Sequence, residues 1–307
     1  MSFSFDIKNE ITSTNSSRTE DIAELAAIVR GSNSFDYINI FTENNAVARR
    51  IYKLFRDIYD ISLRITIRRR SGFNNSLVYI LNYSGDCKKI FRDLSIIDSS
   101  GNYLSKPMEY LTSDSEDMRA YLKGLFEVCG SVNDPKTSGY HLEFVINGYD
   151  YAKEVSKYLN SYNLNSKVIS REKSYMVYIK EAEKISDFLR IIKAYNGVMY
   201  FEDIRIYRDY KNMSNRINNC ELANMDKIFM TASKQIKDID KLKEYDMLDL
   251  VDSKIREAID YRVKYPESSL QELADIMSRE LGYNISKSGL NHRFRKIREI
   301  VSRLENK

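Results

Sequence analysis

The feature that most restricts how this chain can fold is a repeat. Leu25-Ala-Ala-Ile-Val-Arg-Gly-Ser-Asn-Ser-Phe35 aligns without gaps on Leu122-Lys-Gly-Leu-Phe-Glu-Val-Cys-Gly-Ser-Val132, about one hundred residues downstream. In each copy a helix-like segment carries a small residue in its middle, Ala27 or Gly124. Each then runs into small or polar residues, Ser32-Asn33-Ser34 or Cys129-Gly130-Ser131, before alternating, strand-like sequence begins.

The order of patterns after the two segments also recurs. Residues 37–41 and 140–146 alternate as strands, and 47–59 and 151–162 carry apolar or aromatic residues at helical spacings of three and four. Residues 63–67 and 167–169 begin further strands, and 78–81 and 175–179 complete their hairpins. Residues 90–97 and 185–192 close each copy with another helix. Each copy therefore predicts helix, hairpin, helix, hairpin, helix, and the pair predicts two α+β halves related by a pseudo-twofold axis. Small residues at Ala27 and Gly124 would let the two first helices approach closely at that axis, where bulky side chains would hold them apart.

Residues 122–132 resemble a worn LAGLIDADG motif of the homing endonucleases, and residues 25–35 a more worn one. In active members of that superfamily the eighth motif position of each helix is an acid that binds the catalytic divalent metal. The positions that match it here are Ser32 and Cys129. A hydroxyl and a neutral thiol are poor ligands for hard cations such as Mg²⁺, which require charged oxygen. Glu127 precedes Cys129 by two positions, about 200° around a helix, and is not expected to replace the missing acid. The resemblance thus implies an endonuclease-like body without metal, cofactor or catalytic residues. In Leu63-Arg-Ile-Thr-Ile-Arg-Arg-Arg70, alternation places Leu63, Ile65 and Ile67 on one strand face and Arg64, Thr66, Arg68 and Arg70 on the other. In the homing endonuclease fold such sheet faces form a saddle over DNA, which makes Arg64, Arg68 and Arg70 candidates for a second DNA contact; an ordinary solvated sheet face gives the same pattern. These residues belong to a basic cluster that also includes Arg49, Arg50, Lys53, Arg56 and Arg69.

The last sixty residues read differently. A helical pattern over 248–264 stops at Tyr265-Pro266, because proline cannot continue a helix. Ser269-Leu-Gln-Glu272 has the spacing of a capping box, and Leu270, Leu273, Ala274, Met277 and Leu281 follow as a buried stripe. Gly282-Tyr283-Asn284 reads as a turn, after which Ser286 or Ser288 caps a helix with the stripe Leu290, Phe294, Ile297, Val301 and Leu304. Two amphipathic helices joined by a tight turn, behind a preceding helix, are the plan of a helix-turn-helix spanning about 269–303. At 100° per residue the exposed strip of the last helix holds Ser288, His292, Arg295 and Glu299, flanked by Asn291, Lys296 and Arg303; Ser288, Asn291, His292 and Arg295 are of the types that hydrogen-bond base edges in a major groove. Lys287, Arg293, Lys296 and Arg298 flank it as candidate phosphate contacts. Charge agrees with this placement. Residues 286–307 hold seven basic and two acidic residues, whereas the other 285 hold 41 basic and 42 acidic.

The chain as a whole resembles the WhiA family of bacterial regulators. The resemblance rests on Gly130-Ser-Val-Asn-Asp-Pro135 with Tyr140-His-Leu-Glu143, on Asn215-Arg-Ile-Asn-Asn-Cys-Glu221, and on Ile285-Ser-Lys-Ser-Gly-Leu-Asn-His-Arg-Phe-Arg-Lys-Ile297. Met1-Ser-Phe-Ser4 and Glu43-Asn-Asn-Ala-Val-Ala-Arg-Arg50 fit as well, while Arg30-Gly-Ser-Asn-Ser34 departs from the usual small-residue ending. It implies a transcription regulator linked to sporulation in filamentous actinobacteria and to cell division and chromosome segregation in other Gram-positive bacteria. The partners implied are double-stranded DNA and either RNA polymerase or another transcription or division factor. A body that acts mainly as a protein-interaction scaffold, or an active endonuclease, are the alternatives.

The expected organisation is a first repeat over 1–110, a second over 111–212, a helical linker over 213–245 and a DNA-binding domain over 246–307. Three scattered cysteines without C-x-x-C and only two histidines exclude a disulfide scaffold, a zinc ribbon and a His-rich metal site. No run of 18 apolar residues occurs, and the N-terminus lacks the pattern of a signal peptide. The location expected is the cytoplasm, in association with the nucleoid.

Overall fold

The computed structural model describes residues 2–69 and 77–305, which form two compact units, Met1–Arg208 and Asp209–Lys307. Arg70 lies outside the described residues.

In the first half of the first unit α1 (Phe3–Ile11) and α2 (Arg18–Gly31) lead into β1 (Ile38–Thr42), α3 (Asn45–Tyr59), β2 (Arg64–Arg69), β3 (Leu77–Tyr83) and α4 (Lys88–Asp93). The second half repeats the order with α5 (Ser115–Cys129), β4 (Gly130–Val132), β5 (Leu142–Ile146), α6 (Tyr149–Ser161), β6 (Lys167–Ser170), β7 (Tyr175–Ile179) and α7 (Ala182–Ile191). Both sheets are antiparallel, with strand orders β1-β3-β2 and β4-β5-β7-β6. One face of each is apolar and covered by helices: Ile38, Ile40 and Leu81 in the first, Leu142, Phe144 and Val177 in the second are fully buried. The two α+β halves read from the repeat are present.

At the centre α2 packs against α5. Side chains on the Ser17–Glu20 capping box and on Asp114 satisfy their first amides, so both helices start at defined residues. Gly124 is where the backbones come closest, since a Cβ built there would lie 2.3 Å from the carbonyl oxygen of Glu24. Ala27, its repeat partner, is fully buried. The small residues expected at the symmetry axis therefore permit the contact physically.

The halves differ at one place. The reading predicts a hairpin after each first helix, but among the described residues the first half has the single strand β1 there. Ser34, aligned with Ser131 of β4, supplies the reason: its hydroxyl accepts from the Asn39 amide and donates to the Asn39 carbonyl, both at 3.2 Å. A side chain thus takes the backbone groups that a first strand would have paired. Arg30, the departure noted in the motif, points into the half behind it and donates to the carbonyls of Ser95 and Leu104.

Two further elements go beyond the sequence reading. Helix α1 was not expected; Ser2 caps it, and Phe3, Ile7 and Ile11 bury one face at four-residue spacing. The helix expected as a linker from about residue 213 begins much earlier, as α8 (Tyr195–Glu244). The Glu10 carboxylate of α1 caps it, accepting from the Asn196 amide at 2.7 Å and the Gly197 amide at 3.0 Å.

The second unit consists of the distal part of α8, then α9 (Ser253–Lys264), α10 (Leu270–Leu281) and α11 (Lys287–Glu305). Its core joins Ile239 and Leu242 of α8 to Ile255 and Ile259, Leu273 and Met277, and Leu290, Phe294, Ile297 and Val301. Among the described residues no helix is long and apolar enough to cross a membrane.

A candidate nucleic-acid interface on the last helix

The end of α9 is made by a buried arginine. Arg262 occupies a position in the apolar face Ile255, Ala258 and Ile259, and only 1% of its surface is exposed. Its guanidinium donates to the Ser268 carbonyl at 2.6 Å and the Tyr265 carbonyl at 3.3 Å, and it lies over the Phe294 ring. It thereby ties the turn containing Pro266 to α11. Sequence inspection did not single it out, although an arginine at helix spacing inside an apolar stripe was its signature.

The next helix starts on the expected capping box. Ser269 accepts from the Glu272 amide at 3.2 Å, and the Glu272 carboxylate accepts from the Ser269 amide at 2.8 Å. It ends at Gly282, whose φ of +74° is the left-handed conformation that glycine adopts without strain. Ser278 fastens the turn, donating to the Ala274 carbonyl at 2.7 Å and accepting from the Ile285 amide at 2.9 Å. Of the two serines that could cap α11, Ser286 does so, accepting from the Gly289 amide at 3.1 Å. The cap frees Ser288 to face outward beside it, 3.1 Å from the Ser286 hydroxyl.

With Leu290, Phe294, Ile297 and Val301 buried, the opposite face of α11 is set. Ser288, Asn291, His292, Arg295 and Lys296 are all exposed along it, and so is Lys287 in its first turn. The spacing 288, 291, 292, 295 makes one strip over two turns. Arg298 is exposed as well, with its Nε 3.5 Å from Asp238 of α8. Arg293 differs from the expectation. Only 14% of its side chain is exposed, and it donates to the Lys254 carbonyl at 3.1 Å and to Glu257 at 3.4 Å. Tyr283 donates to the same Glu257 carboxylate at 2.5 Å, so these three side chains hold α11 and its turn against α9. Arg293 is thus spent inside the unit instead of projecting beside the strip. The segment Asn215–Glu221 of α8 is exposed throughout.

In the first unit the two positions matching the metal-binding acids close the central helices. Ser32 follows α2, and its hydroxyl donates to the Ile28 carbonyl at 2.8 Å. Cys129 ends α5, and its thiol donates to the Gly31 carbonyl at 3.2 Å; burial pushes its pKa up to about 12. The nearby acid, Glu127, is 1% exposed, and among the described residues neither carboxylate oxygen has a hydrogen-bond partner. Burial, and after it the Glu24 charge, raise its pKa well above the ordinary carboxylate range, against the opposing pull of Lys123 and Arg50. A thiol, a hydroxyl and a carboxyl whose burial disfavours its charged form are what Cys129, Ser32 and Glu127 offer. Among the described residues no three His, Cys, Asp or Glu side chains are grouped as metal ligands.

The basic strand β2 lies at the edge of its sheet. Arg64 and Arg68 share the open face with Phe41 and Ile80, and both are exposed. Ile65 and Ile67 fall on the other face, as alternation requires, yet on this edge strand they are 44% and 57% exposed.

Three family profiles match the chain. They are the WhiA N-terminal LAGLIDADG-like domain over residues 18–97, the WhiA LAGLIDADG-like domain over 118–211 and the WhiA C-terminal HTH domain over 214–301. The "Probable cell division protein WhiA" of Enterococcus faecalis is 40% identical, the match covering 100% of this chain and 99% of that protein. The protein of the same name from Bacillus cytotoxicus is 39% identical over 99% of this chain and 97% of its own length. Among solved structures, full-length DUF199/WhiA from "Thermatoga maritima" superposes with a TM-score of 0.56 at 22% identity, covering 99% of both chains, and shares the fold.

Proposed function

The chain belongs to the WhiA family, and from that membership we propose that it is a sequence-specific DNA-binding regulator of transcription, acting on the chromosome in the service of cell division. The observation that carries this reading is the exposed strip of α11, in which amide, imidazole, hydroxyl and guanidinium groups project from a helix whose other face is locked into a core. Ser288, Asn291, His292 and Arg295 read base edges. Lys287, Lys296 and Arg298 hold phosphates, whereas Arg293 positions the helix. In its first unit the protein keeps an endonuclease-like fold without the chemistry, because a hydroxyl and a buried thiol stand at Ser32 and Cys129, and burial disfavours the charged form of the nearby Glu127. Arg64 and Arg68 on the open sheet face, and the exposed Asn215–Glu221 segment, serve as secondary surfaces for DNA or a partner.

Gel shifts on an operator isolated by genome-wide crosslinking, beside random duplex, test the assignment. Arg295→Ala is expected to lose about 1–3 kcal/mol of discrimination, lowering the preference for operator by about 5- to 150-fold. Lys296→Ala weakens both duplexes alike and reduces the slope of log affinity on log salt by about 0.9, from about −2.7 for three phosphate contacts. Equal losses on operator and random DNA for both variants would contradict these roles. Supercoiled plasmid incubated with the same protein and Mg²⁺ or Mn²⁺ stays intact; nicking that Glu127→Gln abolishes would restore the nuclease reading.

A further inference from the structure

Arg49, Arg50 and Lys53 of α3 form a basic cluster distinct from the strip on α11 and from Arg64 and Arg68 of β2. These residues occupy one face of α3 at i, i+1 and i+4, and Asp57 continues that face one turn on. Opposite them runs the turn 12–16 between α1 and α2, Thr-Ser-Thr-Asn-Ser. Helix face and turn enclose a concavity of about 490 Å³. That is the size of a small-molecule site, and no strand residue lines it, which separates it from the open sheet face.

Its walls have a definite polarity. Arg50, buried beneath, is held through two of its nitrogens: its Nε lies 2.9 Å from Glu24, and Nη2 lies 2.7 Å from Glu24, 2.5 Å from Asp21 and 2.9 Å from the Ser16 hydroxyl. It is fixed framework. Arg49 and Lys53 are exposed at the rim and carry no ion pair among the described residues, so their charge is available to an incoming anion. The hydroxyls of the turn point the other way chemically. Thr12, Ser13 and Thr14 spend their protons on the carbonyls of Asn9, Glu10 and Ile11 at 2.7 to 2.9 Å. To a ligand Thr12 and Ser13 therefore offer oxygen lone pairs, as does the Asp57 carboxylate, whereas Thr14 already accepts from Lys123 at 3.4 Å.

A site with two unpaired cations and the Asp57 carboxylate along its helix wall, and hydroxyl acceptors along the turn, fits an anion attached to a group rich in O–H donors. We propose that this concavity binds a phosphorylated polyol, either a sugar phosphate or the ribose phosphate of a nucleotide. The phosphate sits between Arg49 and Lys53, and the ligand hydroxyls donate to Asp57 and to the turn. Arg50 anchors that wall to Glu24 of α2, which also takes Lys123 of α5 at 2.7 Å, so occupation stiffens the central helix pair.

Titration calorimetry and thermal unfolding of the full chain with four probes test this: ribose 5-phosphate, adenosine 5′-monophosphate, inorganic phosphate and ribose. The two organic phosphates are expected to bind saturably at about millimolar concentration or below and to raise Tm, with ribose inert. Tighter binding of adenosine 5′-monophosphate identifies a nucleotide, and equal binding a sugar phosphate. Arg49→Ala and Lys53→Ala, both at exposed positions, each weaken binding about tenfold, while Lys296→Ala on α11 leaves it unchanged. The proposal is overturned if neither organic phosphate binds, if inorganic phosphate binds as tightly as they do, if both α3 variants bind normally, or if Lys296→Ala removes the binding.

Discussion

Gly124→Val lowers the stability of the first unit by about 3 kcal/mol or more, which for a unit of this size is a fall in Tm of about 6–12 °C. The reason is geometric. The added Cβ would lie 2.3 Å from the Glu24 carbonyl oxygen, 2.9 Å from its carbonyl carbon and 3.0 Å from its Cα, all of them backbone of the facing helix. A flexible side chain could swing away from such a contact, but a helix backbone must translate as a whole. Translation would open voids along a helix pair whose Leu25, Ala26, Ala27, Leu122 and Leu125 are all at most 1% exposed. Gly124→Ala makes the sharper test, because alanine in an ordinary helix interior gains about 1 kcal/mol over glycine. A loss in spite of that gain isolates the steric term. Thermal unfolding followed by near-ultraviolet circular dichroism of the tyrosines measures both variants, and an alanine variant as stable as the parent would show that the helices do not meet at Gly124.

That contact could be read in the sequence because it depends on one local fact, a small residue at the same place in two aligned segments. The elements of the second unit were legible for a similar reason. The Ser269–Glu272 box, Pro266 and Gly282 act within a few residues of themselves, so their spacing alone states what they do. What stayed hidden depends on partners far along the chain. Arg293 looks like any exposed cation of α11 until Glu257, 36 residues earlier, is placed beside it. The missing first hairpin turns on a Ser34 hydroxyl bonding Asn39, where the aligned Ser131 pairs in a strand. The repeat argued for equivalence, and one side chain broke it. Helix α1 was within reach, since Phe3, Ile7 and Ile11 show its period, but nine residues at a chain end are short for a periodicity argument. Ile65 and Ile67 were assigned to the correct face, but their exposure follows from β2 being an edge strand, which alternation does not encode.

Arg50→Met destabilises the first unit by about 3–5 kcal/mol, the range for removing one partner of a buried ion pair. Glu24 has no exposed surface, and its two oxygens are held by Arg50 at 2.9 and 2.7 Å and by Lys123 at 2.7 Å. The charges of Asp21 and Glu24 balance those of Arg50 and Lys123. Methionine fills most of the arginine volume, which leaves the lost charge as the dominant change. The cluster is then left with one excess negative charge beside Glu24, which has no exposed surface, and Glu127, pushed toward its neutral form by burial and then by the Glu24 charge, cannot relieve it. The outcome separates charge from packing through a second substitution. Glu24→Gln in the Arg50→Met background removes the uncompensated carboxylate and recovers a large part of the loss, while the same Glu24→Gln in the parent costs stability by leaving Arg50 without the Glu24 charge, its remaining partners being Asp21 and the Ser16 hydroxyl. If the two losses simply add in urea unfolding, the pair is not coupled, and Arg50 stabilises α3 through its contacts with Ser16 and Asp21 instead of by neutralising the central helix pair.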